Sequence, residues 1–325
     1  MHRRPKAAPG PTARLARSPI LTTPPEAPGA PCGILLLDKP LGLSSNAALQ
    51  RVRWLLGRPK AGHTGSLDPL ATGMLPICIG EATKLAGALL AEGKAYEFEL
   101  TLGSRTDTGD AEGQVVEQAP VPALAAATLA AVLAAASGPQ QQVPPMYSAL
   151  KQGGQPLYKL ARQGLSVARA PRAIVIRSLE CLGHEGARLR LRAVCSKGTY
   201  VRVLAEDIAR ALGSCGHLTA LRRLHVEPFG ADPMVTLEQL EACSDRASLL
   251  LPADRAVPHL PAVCLDSAAT ASLLHGQAVR PASPGNSGAA TLAGAVRLYG
   301  ADGAFLGMGE AQPGGLVQPR RLMRP

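Results

Sequence analysis

The sequence predicts an α+β fold followed by a small β-rich terminal domain. Two segments alternate apolar and polar residues in the period of a half-buried strand. An apolar stripe at helical spacing lies between Ser44 and Gly57, and after about residue 250 helical periodicity gives way to short strands with Gly and Pro turns. At 325 residues the chain can build one large core and a small accessory domain.

Residues 1–32 contain eight prolines, five Lys or Arg and one Glu, with too few periodic apolar residues to make a core. They read as a disordered basic tail. An Arg-rich, acid-poor start also suits an organellar transit peptide, but its prolines would break the amphipathic helix such signals use. Gly33-Ile-Leu-Leu-Leu37 reads as a buried strand closed by Asp38-Lys39-Pro40. Ser44, Ser45 or Asn46 can cap a helix whose Leu49, Val52, Leu55 and Leu56 share a face and which ends at Gly57. A glycine-rich loop over 62–73 follows, then a helix with Leu85, Ala86 and Leu89 inward. Tyr96, Phe98, Leu100 and Leu102 alternate with Glu97, Glu99 and Thr101, so this strand points Tyr96 inward. An alanine-rich helix covers about 123–136. A second alternating strand, Arg188 to Val194, precedes the turn Ser196-Lys197-Gly198, and Thr199 is placed to cap a helix running to Leu212. Val296-Arg-Leu-Tyr299 and Ala304-Phe-Leu-Gly307 are the clearest strands of the terminal domain.

The formal charge of +10 and pI near 9.6 suit a protein that meets polyanions, nucleic acid first. No run approaches the roughly 18 apolar residues of a spanning helix, so a soluble protein with no membrane partner is expected. Seven scattered cysteines without a C-x-x-C pair fit a reducing compartment, the cytoplasm, better than a disulfide framework. The histidines show no metal-ligand grouping, and Asp107-Thr-Gly-Asp110-Ala-Glu112-Gly113 misses the calcium-loop pattern, so no metal is expected.

Asp68 lies among Gly62, Gly65, Gly73 and Pro69, on a loop that either presents a catalytic carboxylate or simply turns at Asp-Pro. Arg202, near the third position of its helix, opposes the helix dipole. This points to a carboxylate elsewhere that needs a partner, or to a pair with Glu206 one turn on. Tyr96 is an ordinary core aromatic or part of a site. From Lys151 to Arg177 there are six Lys or Arg and no acid, with Tyr147 and Tyr158 nearby. Such a segment suits RNA phosphates and splayed bases, or is a solvated loop.

Five pieces in order closely resemble the bacterial tRNA pseudouridine-55 synthase family, TruB. They are Gly33-Ile-Leu-Leu-Leu-Asp-Lys-Pro40, Gly62-His-Thr-Gly-Ser-Leu-Asp-Pro-Leu-Ala-Thr-Gly73, Arg105-Thr-Asp-Thr-Gly-Asp110, Pro144-Pro-Met-Tyr-Ser-Ala-Leu-Lys151 and Cys195-Ser-Lys-Gly-Thr-Tyr-Val-Arg202. The resemblance covers about residues 33–230. It implies a mixed-sheet pseudouridine synthase catalytic domain over 33–251, with an RNA-gripping insertion at 144–172 and a PUA-like RNA-binding domain at 252–325. It further implies that Asp68 is the nucleophile, Arg202 its partner, and Tyr96 the tyrosine that stacks on the target base. His63 matches a histidine that holds flipped-out nucleotides, and Lys39 lies in a motif supporting the active site. Tyr147, Lys151, Tyr158, Lys159 and Arg162 fall to the RNA-gripping set. The implied substrate is U55 in the TΨC stem-loop of tRNA, handled by a monomer without cofactor, metal or obligatory protein partner. A guide-RNA-dependent relative and a non-catalytic RNA-binding protein are the rival readings. The basic insertion after Pro144 favours an enzyme that grips its own substrate.

Overall fold

The computed structural model describes residues 31–90, 93–230, 232–281 and 292–323, so the basic tail lies outside the described residues as far as residue 30. The chain opens with β1 (Gly33–Lys39), α1 (Ser45–Leu55), β2 (Ala61–His63) and β3 (Ala71–Ile79), followed by α2 (Ala86–Leu90), β4 (Lys94–Leu102), β5 (Ser104–Thr106) and β6 (Val115–Gln118). Next come α3 (Ala126–Ala135), β7 (Gly138–Gln142), the short β8 (Lys151–Gln152) and β9 (Gln155–Pro156), and α4 (Leu157–Ala161). The larger part closes with β10 (Arg172–Glu185), β11 (Arg188–Cys195), α5 (Val201–Ala211), β12 (Gly216–Val226) and α6 (Leu237–Ala242). Beyond these lie β13 (Ala262–Cys264), α7 (Ser267–Leu274), β14 (Gly294–Tyr299), β15 (Phe305–Ala311) and β16 (Val317–Leu322).

An eight-stranded sheet runs in the order β1-β3-β12-β4-β11-β10-β7, with β2 added beside β3. Its neighbours are antiparallel except β12 and β3, which run parallel, so the sheet is mixed as expected. The apolar stripe of α1 and the face of α5 carrying Leu204 and Ile208 cover one side, where Leu35, Leu37, Phe98, Leu100 and Leu191 complete the main core. On the other side Ile34, Leu36, Met74 and Cys78 pack with Val226, Phe229, Ala253, Val257 and Met323. The β13-β14-β15-β16 sheet has its own smaller core around Leu273, Leu298 and Val317. It is held to neighbouring elements by polar contacts as well: Tyr299 Oη donates to Asp254 Oδ2 at 2.8 Å and Lys84 Nζ to the Leu322 carbonyl at 2.7 Å.

Several elements depart from the sequence reading. Residues 71–73, read as the end of the glycine-rich loop, open β3, and β7, β10 and β12 go unread, although all four sit inside the sheet. β3 is buried on both faces and so shows no alternation, while register shifts at Leu218/Ala220 and Arg223/His225 break the pattern of β12. The helix α7 interrupts the terminal strands. The parallel contact between β3 and β12 depends on Gly73: at φ +98°, a Cβ there would stand 2.2 Å from the Arg223 carbonyl oxygen.

Candidate active site

The loop between β2 and β3 carries Asp68 and is pinned at several points. The buried Ser45 hydroxyl, in the first turn of α1, accepts from Leu67 N at 2.7 Å and donates to the Leu67 carbonyl at 3.0 Å. Thr64 N donates to Pro76 O, Ala71 N to Asp68 O and Gly42 N to Pro69 O, all within 3.0 Å. Asp68 therefore stands on a braced turn, and 42 % of its side-chain surface stays open to solvent.

Arg202 meets it from α5. That helix is capped at Tyr200, with no side-chain cap bond, while the Thr199 hydroxyl turns back to the Ser196 carbonyl. Arg202 thus occupies the second helical position. Its side chain, 6 % exposed, pairs with Asp68 at 3.0 Å and Asp110 at 3.7 Å. Nη1 donates to the Thr108 carbonyl at 2.8 Å and Nη2 to the Tyr147 carbonyl at 2.7 Å. Two carboxylates and two carbonyls thereby offset the unfavourable position of a cation at a helix N-terminus. Asp110 is itself built in: its Oδ1 accepts from Thr108 Oγ1 at 2.6 Å and Glu112 N at 3.1 Å.

Burial pushes the Asp68 carboxyl above the ordinary carboxylate range; Arg202 opposes this, Asp110 adds to it, and Lys39 opposes it. Lys39 is fully buried, with Nζ donating to the Pro40 carbonyl at 2.9 Å and the Leu43 carbonyl at 2.6 Å. Burial brings its pKa down to about 8 against the attraction of Asp68 and Glu112, with Arg223 reinforcing the fall. Tyr96 points inward as the alternation requires, and burial raises its phenol while the guanidinium of Arg223, its cross-strand neighbour, opposes the rise. Burial, then Arg223, lowers the His63 imidazole, whose Nδ1 is enclosed without a hydrogen-bond partner among the described residues.

Asp68, Tyr96, Arg202, Lys39 and His63 thus form one connected site, which the insertion joins through the Tyr147 carbonyl. Lys151, Lys159 and Arg162 are exposed on the insertion outside this cluster, with the Arg162 guanidinium 5.7 Å from the centre of the half-buried Tyr158 ring. Two members went unnoticed in the sequence. Asp110 closes one of the family-like pieces, but the sequence gives that carboxylate no role of its own beyond the rejected calcium-loop pattern. Arg223 had no signal, being the second of two arginines on a strand that periodicity did not reveal. Chemically, the cluster offers a solvent-open carboxylate beside a buried cation and a phenol, the means for nucleophilic attack or for stabilising developing positive charge.

Comparison with known proteins gives the family and the fold. Residues 53–201 match the TruB family pseudouridylate synthase N-terminal domain, 202–258 the tRNA pseudouridylate synthase B C-terminal domain, and 261–323 the pseudouridine synthase II TruB C-terminal domain. The tRNA pseudouridine synthase B of Aromatoleum aromaticum is 53 % identical over 293 residues, 90 % of this chain and 92 % of that one. The chain belongs to the TruB family. A second TruB relative, tRNA pseudouridine synthase B of Stutzerimonas stutzeri, is 50 % identical over 299 residues, covering 90 % of this chain and 95 % of its own. Among solved structures, a chain of a Cbf5-Nop10-Gar1 complex superposes with TM-score 0.67 at 26 % identity, covering 91 % of this chain and 86 % of that one. The TruB chain accordingly has the mixed α+β pseudouridine synthase fold with a small β-rich C-terminal part.

Proposed function

We propose that this chain isomerises a uridine of tRNA, U55 in the TΨC loop, to pseudouridine with Asp68 as nucleophile. The observation that carries the reading is the Asp68 carboxylate itself, braced by Ser45, open to solvent on one side and 3.0 Å from buried Arg202 on the other. The reaction breaks the bond from uracil N1 to ribose C1′, turns the base and rejoins it through C5. The base loses a proton at C5 and gains one at N1, so the change is redox-neutral and consumes no water or cofactor.

Arg202 holds the Asp68 carboxylate in place and favours its ionised form against burial. Tyr96 receives the face of the target base, which must first leave its stack. Lys39 supports the loop and its charge, and His63 helps hold the flipped-out nucleotides. Tyr147, Lys151, Tyr158, Lys159 and Arg162, on the 144–172 insertion, grip the tRNA arm, and the PUA-like part over 252–325 adds a further RNA contact. This division puts the catalytic domain at 33–251. The enzyme works as a cytoplasmic monomer without guide RNA or protein partner.

The test is tritium release from tRNA transcribed with 5-tritiated uridine, without added proteins. Wild type is expected to release tritium stoichiometrically with tRNA. Asp68→Asn should release none while binding tRNA normally. If both bind but neither releases tritium, the chain is a guide-dependent relative or a binding protein.

A further inference from the structure

Arg223, in β12, is 1 % exposed and carries a permanent charge. Burying a guanidinium is costly unless its charge is matched. No carboxylate forms an ion pair with it among the described residues. An apolar side chain of similar volume would serve packing as well or better, so the cation answers to its surroundings. Its Nε donates to the Met74 carbonyl of β3 at 2.7 Å, and Nη2 to the Gly65 carbonyl of the Asp68 loop at 3.0 Å. Gly65, at φ +80°, lies directly against the guanidinium: a Cβ there would be 3.4 Å from Nη1. The third neighbour is the Tyr96 phenol, paired across the sheet at the same register position.

We propose that Arg223 is a positioning residue of the reaction: one guanidinium fastens the Gly65 turn of the catalytic loop to β3 and holds the Tyr96 ring in register with it. This rests on the assignment of Asp68 and Tyr96 under the proposed function. Carboxylate and ring come from different elements, the β2-β3 loop and β4; Arg223 holds the loop at the Gly65 carbonyl and sits opposite Tyr96 in the β12-β4 register. A displacement of about 1 Å at reacting groups costs about 100-fold in rate.

The experiment measures single-turnover tritium release and stem-loop affinity for wild type, Arg223→Met and Arg223→Lys, with ring-carbon NMR of labelled tyrosine. The chain has five tyrosines, and Tyr96→Phe assigns the relevant signal by its disappearance. Besides Arg223, Cys195 and Asp68 are the titratable groups whose charge reaches the phenol. Arg223→Met should lower the rate about 100-fold, change affinity by less than about twofold, and shift the Tyr96 titration upward. Arg223→Lys keeps the charge but lacks the planar fork. It should restore the titration and leave the rate depressed. A near-wild-type rate in Arg223→Met, a loss confined to affinity, or an unmoved Tyr96 signal overturns the proposal. Should Arg223→Met not fold, Arg223→Lys decides alone: a depressed rate at unchanged affinity supports positioning, and a wild-type rate overturns it. Absence of tritium release from wild type would instead strike the proposed function.

Discussion

Replacing Arg202 with methionine probes the charge balance at the centre of the site. Methionine fills much of the volume, so little cavity forms and the cost is electrostatic. Two carbonyls, of Thr108 and Tyr147, lose their donor, and Asp68 and Asp110 lose their shared cation. Removing one member of a buried pair costs about 3–5 kcal/mol. Asp110, with a side chain 5 % exposed, accounts for most of it, because Asp68 faces solvent and its share is screened. A total of about 4 kcal/mol should lower Tm by about 6 °C in a chain of this size. Arg202 also opposes the raised pKa of Asp68, so its removal lifts that pKa further. A carboxylate nucleophile is available only above its folded-state pKa, hence the acid limb of the rate should move to higher pH in Arg202→Met. For stability the sign is opposite. A carboxyl raised in the folded state contributes stability below its ordinary value of 3.8, and that contribution is lost as pH rises through the folded value. Scanning calorimetry and single-turnover tritium release across pH read both effects. Adding Asp110→Asn to Arg202→Met should recover part of the stability by removing the orphaned buried charge. No recovery, together with an unmoved acid limb, would refute the electrostatic account.

Lys39 should set a basic limb: its pKa of about 8 means that the ammonium beside Asp68 is lost above that pH, and Lys39→Met should flatten the rate there. The folded chain also binds fewer protons than the unfolded one between about 8 and 10.5, so calorimetric stability should rise across that window in wild type and not in the variant. Gly73→Ala should cost about 2–5 kcal/mol in denaturant melts, since the new methyl group meets the Arg223 backbone as well as a positive φ. Gly57→Ala, where nothing lies within 4 Å, should cost only about 1–2 kcal/mol for the backbone conformation. Equal costs would show that the β3-β12 approach is looser than described. Lys159→Ala with Arg162→Ala should weaken tRNA binding and flatten its salt dependence by about one unit per lost phosphate contact. An unchanged slope in filter binding would remove the insertion from the RNA surface.

What the sequence determined by itself was local. Ser44 caps α1, and Leu49, Val52 and Leu55 share its buried face because three- and four-residue spacing is a property of one helix. Alternation placed Tyr96 inward on β4 for the same reason, and glycines with proline put Asp68 on a loop before any partner was known. Its pairing with Arg202, 134 positions away in sequence numbering as 202 − 68, followed from resemblance and not from spacing. Tertiary structure decided the rest. β3 and β12 were hidden because a strand buried on both faces, or broken by bulges, carries no period to read. Asp110 became the second anion of Arg202 only when its turn folded against α5, and the net rise in the Asp68 pKa follows from burial outweighing that arginine. Arg223 joins Gly65, Met74 and Tyr96 through contacts between residues far apart in the chain, a juxtaposition that exists only once the sheet has closed around it.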